Sequence, residues 1–174
     1  MAMKDFMTDA LTPPETARAR EIRDFARSAL LERTFQDGME LVEETAAYLD
    51  GDGRRESRLL SRSAALAYAA DSMKLTTRLM QVASWLLVQR AVREGDMTPE
   101  AAMDDRYRLS ERSLEAEPSH AELPIALVEY AVRAEKLFDR VLYLDRRMYL
   151  EAPDEPEINP VLSQMGLLEA AFRL

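Results

Sequence analysis

The chain has no cysteine in its 174 residues. That absence excludes disulfides, thiolate nucleophiles and thiolate metal sites, and it fits a reducing compartment. Histidine occurs once, as His120 just after Pro118-Ser119, and no Glu-x-x-His pair accompanies it. A histidine metal site or a Ser-His pair needs converging partners that the sequence does not signal. The adjacent acids Glu43-Glu44 and Asp104-Asp105 diverge by about 100° on a helix and share no proton easily. No phosphate-binding loop, dinucleotide fingerprint, HExxH or GxSxG occurs. Enzymatic activity, cofactors and metals are therefore not expected. Positive charge is in the minority, with 23 Lys and Arg against 32 Asp and Glu and a net charge of −9. Nucleic-acid binding needs a basic surface and is not expected. Long apolar runs are also missing. The densest, Val82 to Val88, contains Ser84 and is far too short to span a bilayer. Lys4 is not followed by an apolar stretch, so no secretory signal is expected, and the expectation is a soluble cytoplasmic protein. Met7 is a second candidate initiator beside Met1.

What is present is helical patterning, with no strand signal and no repeat. The spacing predicts an all-α fold: an antiparallel bundle of three long helices near 15–50, 56–94 and 120–150, as one domain spanning 15–150. A flexible N-terminus of residues 1–14 ends in Thr12-Pro13-Pro14, where proline suits a helix start. In the first helical stretch, Ile22, Phe25, Ala26 and Ala29 form one stripe. Leu31, Phe35, Gly38, Val42, Thr45 and Leu49 form another, with a register change near Leu30, so a short arm precedes the first bundle helix. Gly38 would let two backbones approach closely. Asp50-Gly51-Asp52-Gly53 predicts a stop through a left-handed glycine cap. The second helix ends at Gly95. The connection 95–119 has weaker patterning and is expected to be mobile, apart from a short helix over 99–105 with Thr98 as its cap. Leu123, Leu127, Tyr130, Ala134, Leu137, Val141, Leu144 and Met148 then repeat in 4-3 steps, a heptad seam for the third helix. Residues 151–174 carry Pro153, Pro156 and Pro160 with Glu151, Asp154, Glu155 and Glu157, which predicts a flexible tail.

The segment Tyr68–Arg93 has neither glycine nor proline and holds two apolar stripes. Leu75, Leu79, Val82 and Leu86 form one; Met73, Met80, Ala83 and Leu87 form the other. Together they make about half the circumference apolar, which predicts cover on two sides, by the bundle and by a second chain in a homodimer. Three candidate partner surfaces follow. Trp85 lies in the polar arc beside Arg78, Gln81 and Gln89, either as an interface residue or folded over the bundle edge. Arg133, Lys136, Arg140 and Arg147 make either a solvated helix face or a docking strip for an acidic partner such as a receiver domain. Leu167, Leu168 and Phe172, near the end of the tail, form either a tethered recognition element or a terminal helix that packs back.

The stretches Leu75-Thr76-Thr77-Arg78-Leu79-Met80 and Trp85-Leu86-Leu87-Val88-Gln89-Arg90-Ala91-Val92 resemble the RcdA family, alphaproteobacterial regulators of CtrA degradation. So do Leu123-Pro124, Leu137-Phe138-Asp139-Arg140-Val141 and Leu144-Asp145. The resemblance spans roughly Leu31 to Tyr149. It implies a dimerising three-helix bundle that acts as a non-enzymatic adaptor for the ClpXP protease. By resemblance the partners are a ClpX unfoldase primed by the receiver-domain protein CpdR, cell-cycle transcription regulators as substrates, and a cyclic-di-GMP-binding adaptor. It also implies recruitment to a cell pole. The alternative from the residues alone is a structural or scaffolding helical dimer with one fixed protein partner and no role in proteolysis.

Overall fold

A computed structural model of the chain describes residues 16–109 and 120–149. Helices α1 (Ala17–Ala26), α2 (Ala29–Asp50), α3 (Asp52–Ser57), α4 (Arg62–Glu94), α5 (Pro99–Ala102) and α6 (Ile125–Tyr149) follow in order, with a 3-10 turn at Asp105–Tyr107. The described residues contain no strand, so the fold is an all-α bundle. Its core is one cluster in which Ile22, Leu86 and Val141 have no exposed surface.

Local chemistry sets the element ends. Thr16, Ser28, Ser61 and Thr98 each accept a hydrogen bond at a helix start, from the backbone N–H of Ala19, Leu31, Ala64 and Ala101. The Ser28 cap divides the expected helix of residues 15–50 in two, at the place where the apolar stripe changes face. Gly51 is not left-handed: its φ is −104°, and it passes the chain from α2 into α3. The left-handed cap is Gly95, φ 85°, at the end of α4. Because α3 intervenes, the second long helix starts at Arg62 rather than near residue 56. The third starts at Ile125 rather than 120, after Pro124, a residue that disfavours helix before it. His120 therefore precedes the helix, and its Nδ1 accepts from the Glu122 N–H at 3.3 Å. The helix expected over 99–105 closes at Ala102.

Pairwise contacts give the directions. Glu32 of α2 pairs with Arg93 of α4, and Gly38 lies against Leu86. Tyr48 of α2 stacks near Tyr130 of α6, and Asp37 pairs with Arg140. So α2 runs antiparallel to both neighbours. Between α4 and α6, Arg78 meets Glu135, Trp85 meets Asp145 and Gln89 meets Tyr149. Those positions rise together, so within the antiparallel bundle expected from the sequence the α4–α6 pair is parallel. A parallel pair needs a connection that returns the length of the bundle, and this accounts for the long stretch after Gly95. That stretch is not loose at its start: Pro99, Ala102 and Leu109 are buried.

Gly38 makes the close approach possible. A Cβ there would lie 2.7 Å from Leu86 Cδ1 and 3.6 Å from Leu137 Cδ2, at the meeting point of α2, α4 and α6.

Candidate interaction surfaces

Helix α4 is flanked by α2 on one side and α6 on the other, and this decides which of its residues remain outside. Leu75, Leu79, Val82 and Leu86 are buried as core. Met73, Met80 and Leu87 are 72%, 65% and 52% exposed, and Leu66 is 68% exposed. These four stand seven residues apart, a wet apolar seam about 31 Å long at 1.5 Å per residue. A groove of about 270 Å³ between α2 and α4 adjoins it, lined by Val42, Ala46, Leu49, Leu79, Met80 and Ala83 among others. Thr45 Oγ1 also belongs to this groove and has no hydrogen-bond partner among the described residues. The two-sided cover read from the stripes thus has one side filled by the bundle and one side open.

The arc of α4 expected to be a polar surface faces α6 instead. Trp85 is 2% exposed, and its indole Nε1 donates to Asp145 Oδ1 at 2.8 Å. Arg78 is 7% exposed; its Nε donates to Glu135 Oε1 at 2.8 Å, and its guanidinium lies 4.1 Å from the Phe138 ring centre. Gln89 is fully buried, and its amide donates to the Tyr149 hydroxyl at 2.8 Å. Only Gln81 of that group is partly accessible. Trp85, Arg78 and Gln89 are therefore inward-facing residues of the α4–α6 contact. The physical reason is that the buried ends are polar and, apart from Gln89 Oε1, paired, so the hydrophobic pattern does not register them as core.

Asp145, 1% exposed, is the centre of this contact. Besides the indole it accepts from Arg108 Nε at 3.0 Å and from Arg108 Nη2 at 2.8 Å. Arg108 also donates to the Asp145 carbonyl at 3.2 Å and lies 4.3 Å from the Tyr149 ring centre. A bidentate, charge-assisted pair of this kind fixes the stretch 105–109 against α6. Burial raises the Tyr149 hydroxyl pKa, an effect increased by Asp145 and opposed by the Gln89 hydrogen bond.

The basic strip on α6 also changes meaning. Arg133 donates to Glu44 of α2 at 2.5 Å, and Arg140 lies 3.6 Å from Asp37. Those two arginines join α6 to α2 along the bundle. Lys136 is exposed, and Arg147 lines a groove between α1 and α6. The four are not one docking strip. Leu167, Leu168 and Phe172 lie outside the described residues, as does the stretch 1–15.

At the far end of the bundle, α3 is seated on tyrosines. Tyr48 Oη donates to Glu56 Oε2 at 2.8 Å, and a Cβ at Gly53 would lie 2.6 Å from Tyr68 Oη. Burial first, and then the Glu56 hydrogen bond, push the Tyr48 hydroxyl pKa up. The sequence reading missed this corner. Its signal was present in Arg54, Arg55, Arg58 and Arg62 clustered within an acidic chain.

Among the described residues, no group of three His, Cys, Asp or Glu is placed to hold a metal ion, and no helix is long and apolar enough to cross a membrane. None of the curated proteins matches the sequence. The chain matches the family described as protein of unknown function (DUF1465) over residues 22–172. It is also similar to the crystal structure of RcdA from Caulobacter crescentus CB15, with 60% identity, a TM-score of 0.62, and cover of 75% of this chain and 99% of that one. The family match runs past the end of α6 to include Leu167, Leu168 and Phe172. On these grounds the chain belongs to the DUF1465 family, the family of Caulobacter crescentus RcdA.

Proposed function

We propose that this protein is a non-enzymatic protease adaptor. It binds cell-cycle regulatory proteins and promotes their delivery to ClpXP, acting with a receiver-domain priming factor. The observation that carries the reading is the 60% identity to RcdA over 99% of that chain. The structure supports it in kind: what it offers is contact surface, with buried polar groups engaged in packing. The adaptor acts in the cytoplasm, with recruitment to a cell pole, and also meets a cyclic-di-GMP-binding adaptor.

The exposed seam of Leu66, Met73, Met80 and Leu87 supports homodimerisation through α4. An apolar stripe of that length is costly to leave wet, and the α2–α4 groove widens it. The tail carries one partner-recognition element around Leu167, Leu168 and Phe172. Its place within the family match supports a role beyond that of a linker. A purified degradation assay with unfoldase, protease, priming factor and substrate tests the function. Addition of this protein should raise the substrate degradation rate. A scaffolding dimer would leave that rate unchanged.

A further inference from the structure

Helix α6 ends beside α1. Arg18 Nη1 donates to the Met148 carbonyl at 2.7 Å, which ties the last turn of α6 to the first turn of α1. The chain therefore leaves α6 at the mouth of a groove of about 600 Å³ between these two helices. Leu144 and Met148 form its apolar floor, with Phe25 and Leu30 beside them. Leu30 is 51% exposed, and the described residues leave the groove open. The charges that line it balance, Arg20 and Arg147 against Glu21 and Asp24. Arg18 lies 3.9 Å from Glu21 Oε2, an oxygen with no hydrogen-bond partner among the described residues.

Residues 150–174 follow from that mouth, and their apolar content is densest at the end. Residues 167–174 read Leu-Leu-Glu-Ala-Ala-Phe-Arg-Leu, with one acid and one base. Leu168 and Phe172 stand four apart, the spacing of one helical face. Glu151, Asp154, Glu155 and Glu157 all precede this piece. A net-neutral apolar segment suits a net-neutral apolar groove, and the acidic stretch serves as its tether. The roughly 18 residues from Tyr149 to Leu167 reach at most about 60 Å. Helix α1 is only about 15 Å long, so the segment can turn back over the groove. We infer that the α1–α6 groove is the docking site of this chain's own C-terminal segment, residues 167–174. Leu168 and Phe172 lie against Phe25, Leu30 and Met148, and Arg173 supplies the donor that Glu21 lacks. The docking stands without the adaptor reading; its consequence rests on that reading. A tail held by its own bundle is withheld from its partners, and a partner of the tail binds only after displacing it.

The absence of cysteine makes the test selective. In the full chain, Asp24→Cys in the groove is combined with Ala171→Cys, and disulfide formation in a glutathione buffer is followed by non-reducing electrophoresis. The comparator combines Ala171→Cys with Ile125→Cys, a position 77% exposed at the start of α6. The intrachain disulfide at Asp24→Cys should form about tenfold faster than the comparator's, because docking raises the local concentration. Leu168→Asp with Phe172→Asp should lower the faster rate about tenfold. Leu30→Asp should act in the same direction from the groove side, and a carboxylate in the first turn of α2 leaves that helix intact. Unchanged thermal melts verify that the variants fold. Rates at the two positions within about twofold of each other overturn the proposal. So does a fast rate that survives the Asp substitutions, which would mean proximity alone. A disulfide-linked dimer in place of the intrachain product assigns the groove to the tail of a second copy and also overturns it. Deletion of residues 2–12 should leave the rate unchanged. A several-fold rise would make the N-terminal segment the occupant, and the proposal fails. No protease or partner enters these measurements, so the adaptor reading stands or falls separately on the degradation assay.

Discussion

At the residue scale the most instructive side chain is Asp145. Its carboxylate holds Trp85 and Arg108 together in an interior with almost no solvent. Asp145→Ala leaves the Arg108 guanidinium nearly buried and without its anion. Breaking a buried pair in this way costs about 3 kcal/mol or more. Urea denaturation should show that loss, and the emission of Trp85, the single tryptophan, should shift as its donor loses its partner. An unchanged midpoint would mean that the node is not energetically important. The tyrosines give a pH signature. Tyr48, Tyr68 and Tyr149 all have hydroxyl pKa values raised by burial. A tyrosine pKa raised above its unfolded value, about 10, contributes stability that is complete below that value. The contribution is lost as pH rises through the higher folded value. Thermal stability should therefore fall above about pH 10, and Tyr48→Phe should make that fall shallower. An equally steep fall in the variant would count against Tyr48 as a source. None of this was legible in the sequence. Trp85, Arg78 and Gln89 read as a polar arc because hydrophobic periodicity cannot show that a buried polar end has found its partner.

At the element scale the sequence was most informative where one physical rule acted alone. The α6 seam from Leu127 to Met148 is buried mainly at its 4-3 positions, and Gly38 lies where two helices meet α2. Val141→Asp should accordingly cost several kcal/mol in a thermal melt, since it buries an unpaired charge at a position with no exposed surface. A melt unchanged by it would show the seam to be misplaced. The reading was weakest at boundaries and directions. The α1–α2 break, signalled by the register change near Leu30, is fixed to the residue by the Ser28 cap. The parallel α4–α6 pair depends on how a long connection returns, which no local periodicity encodes. Helix α4 adds its own test. The outward seam of Met73, Met80 and Leu87 predicts that Met80→Asp shifts the protein from dimer to monomer at tens of micromolar, with helicity kept. Sedimentation equilibrium decides this, and a parent protein that is monomeric throughout would remove the dimer from the account.

At the scale of the whole molecule, the family match extends beyond the bundle to include Leu167, Leu168 and Phe172. Pro153, Pro156 and Pro160 predict the tail's separation from the bundle, and the sequence does not say what it touches, since short apolar segments fit many grooves. Truncation before Glu151 should leave helicity and dimerisation largely intact and impair delivery of at least one substrate. Equal delivery of every substrate would reduce the tail to a solubilising appendage. The central claim is delivery itself. Its most direct measurement is the degradation rate of a cell-cycle regulator by purified ClpXP, with the priming factor present, as this protein is titrated from zero to excess. The account predicts a saturable increase that disappears when the priming factor is omitted. A rate that stays flat across the titration would contradict it.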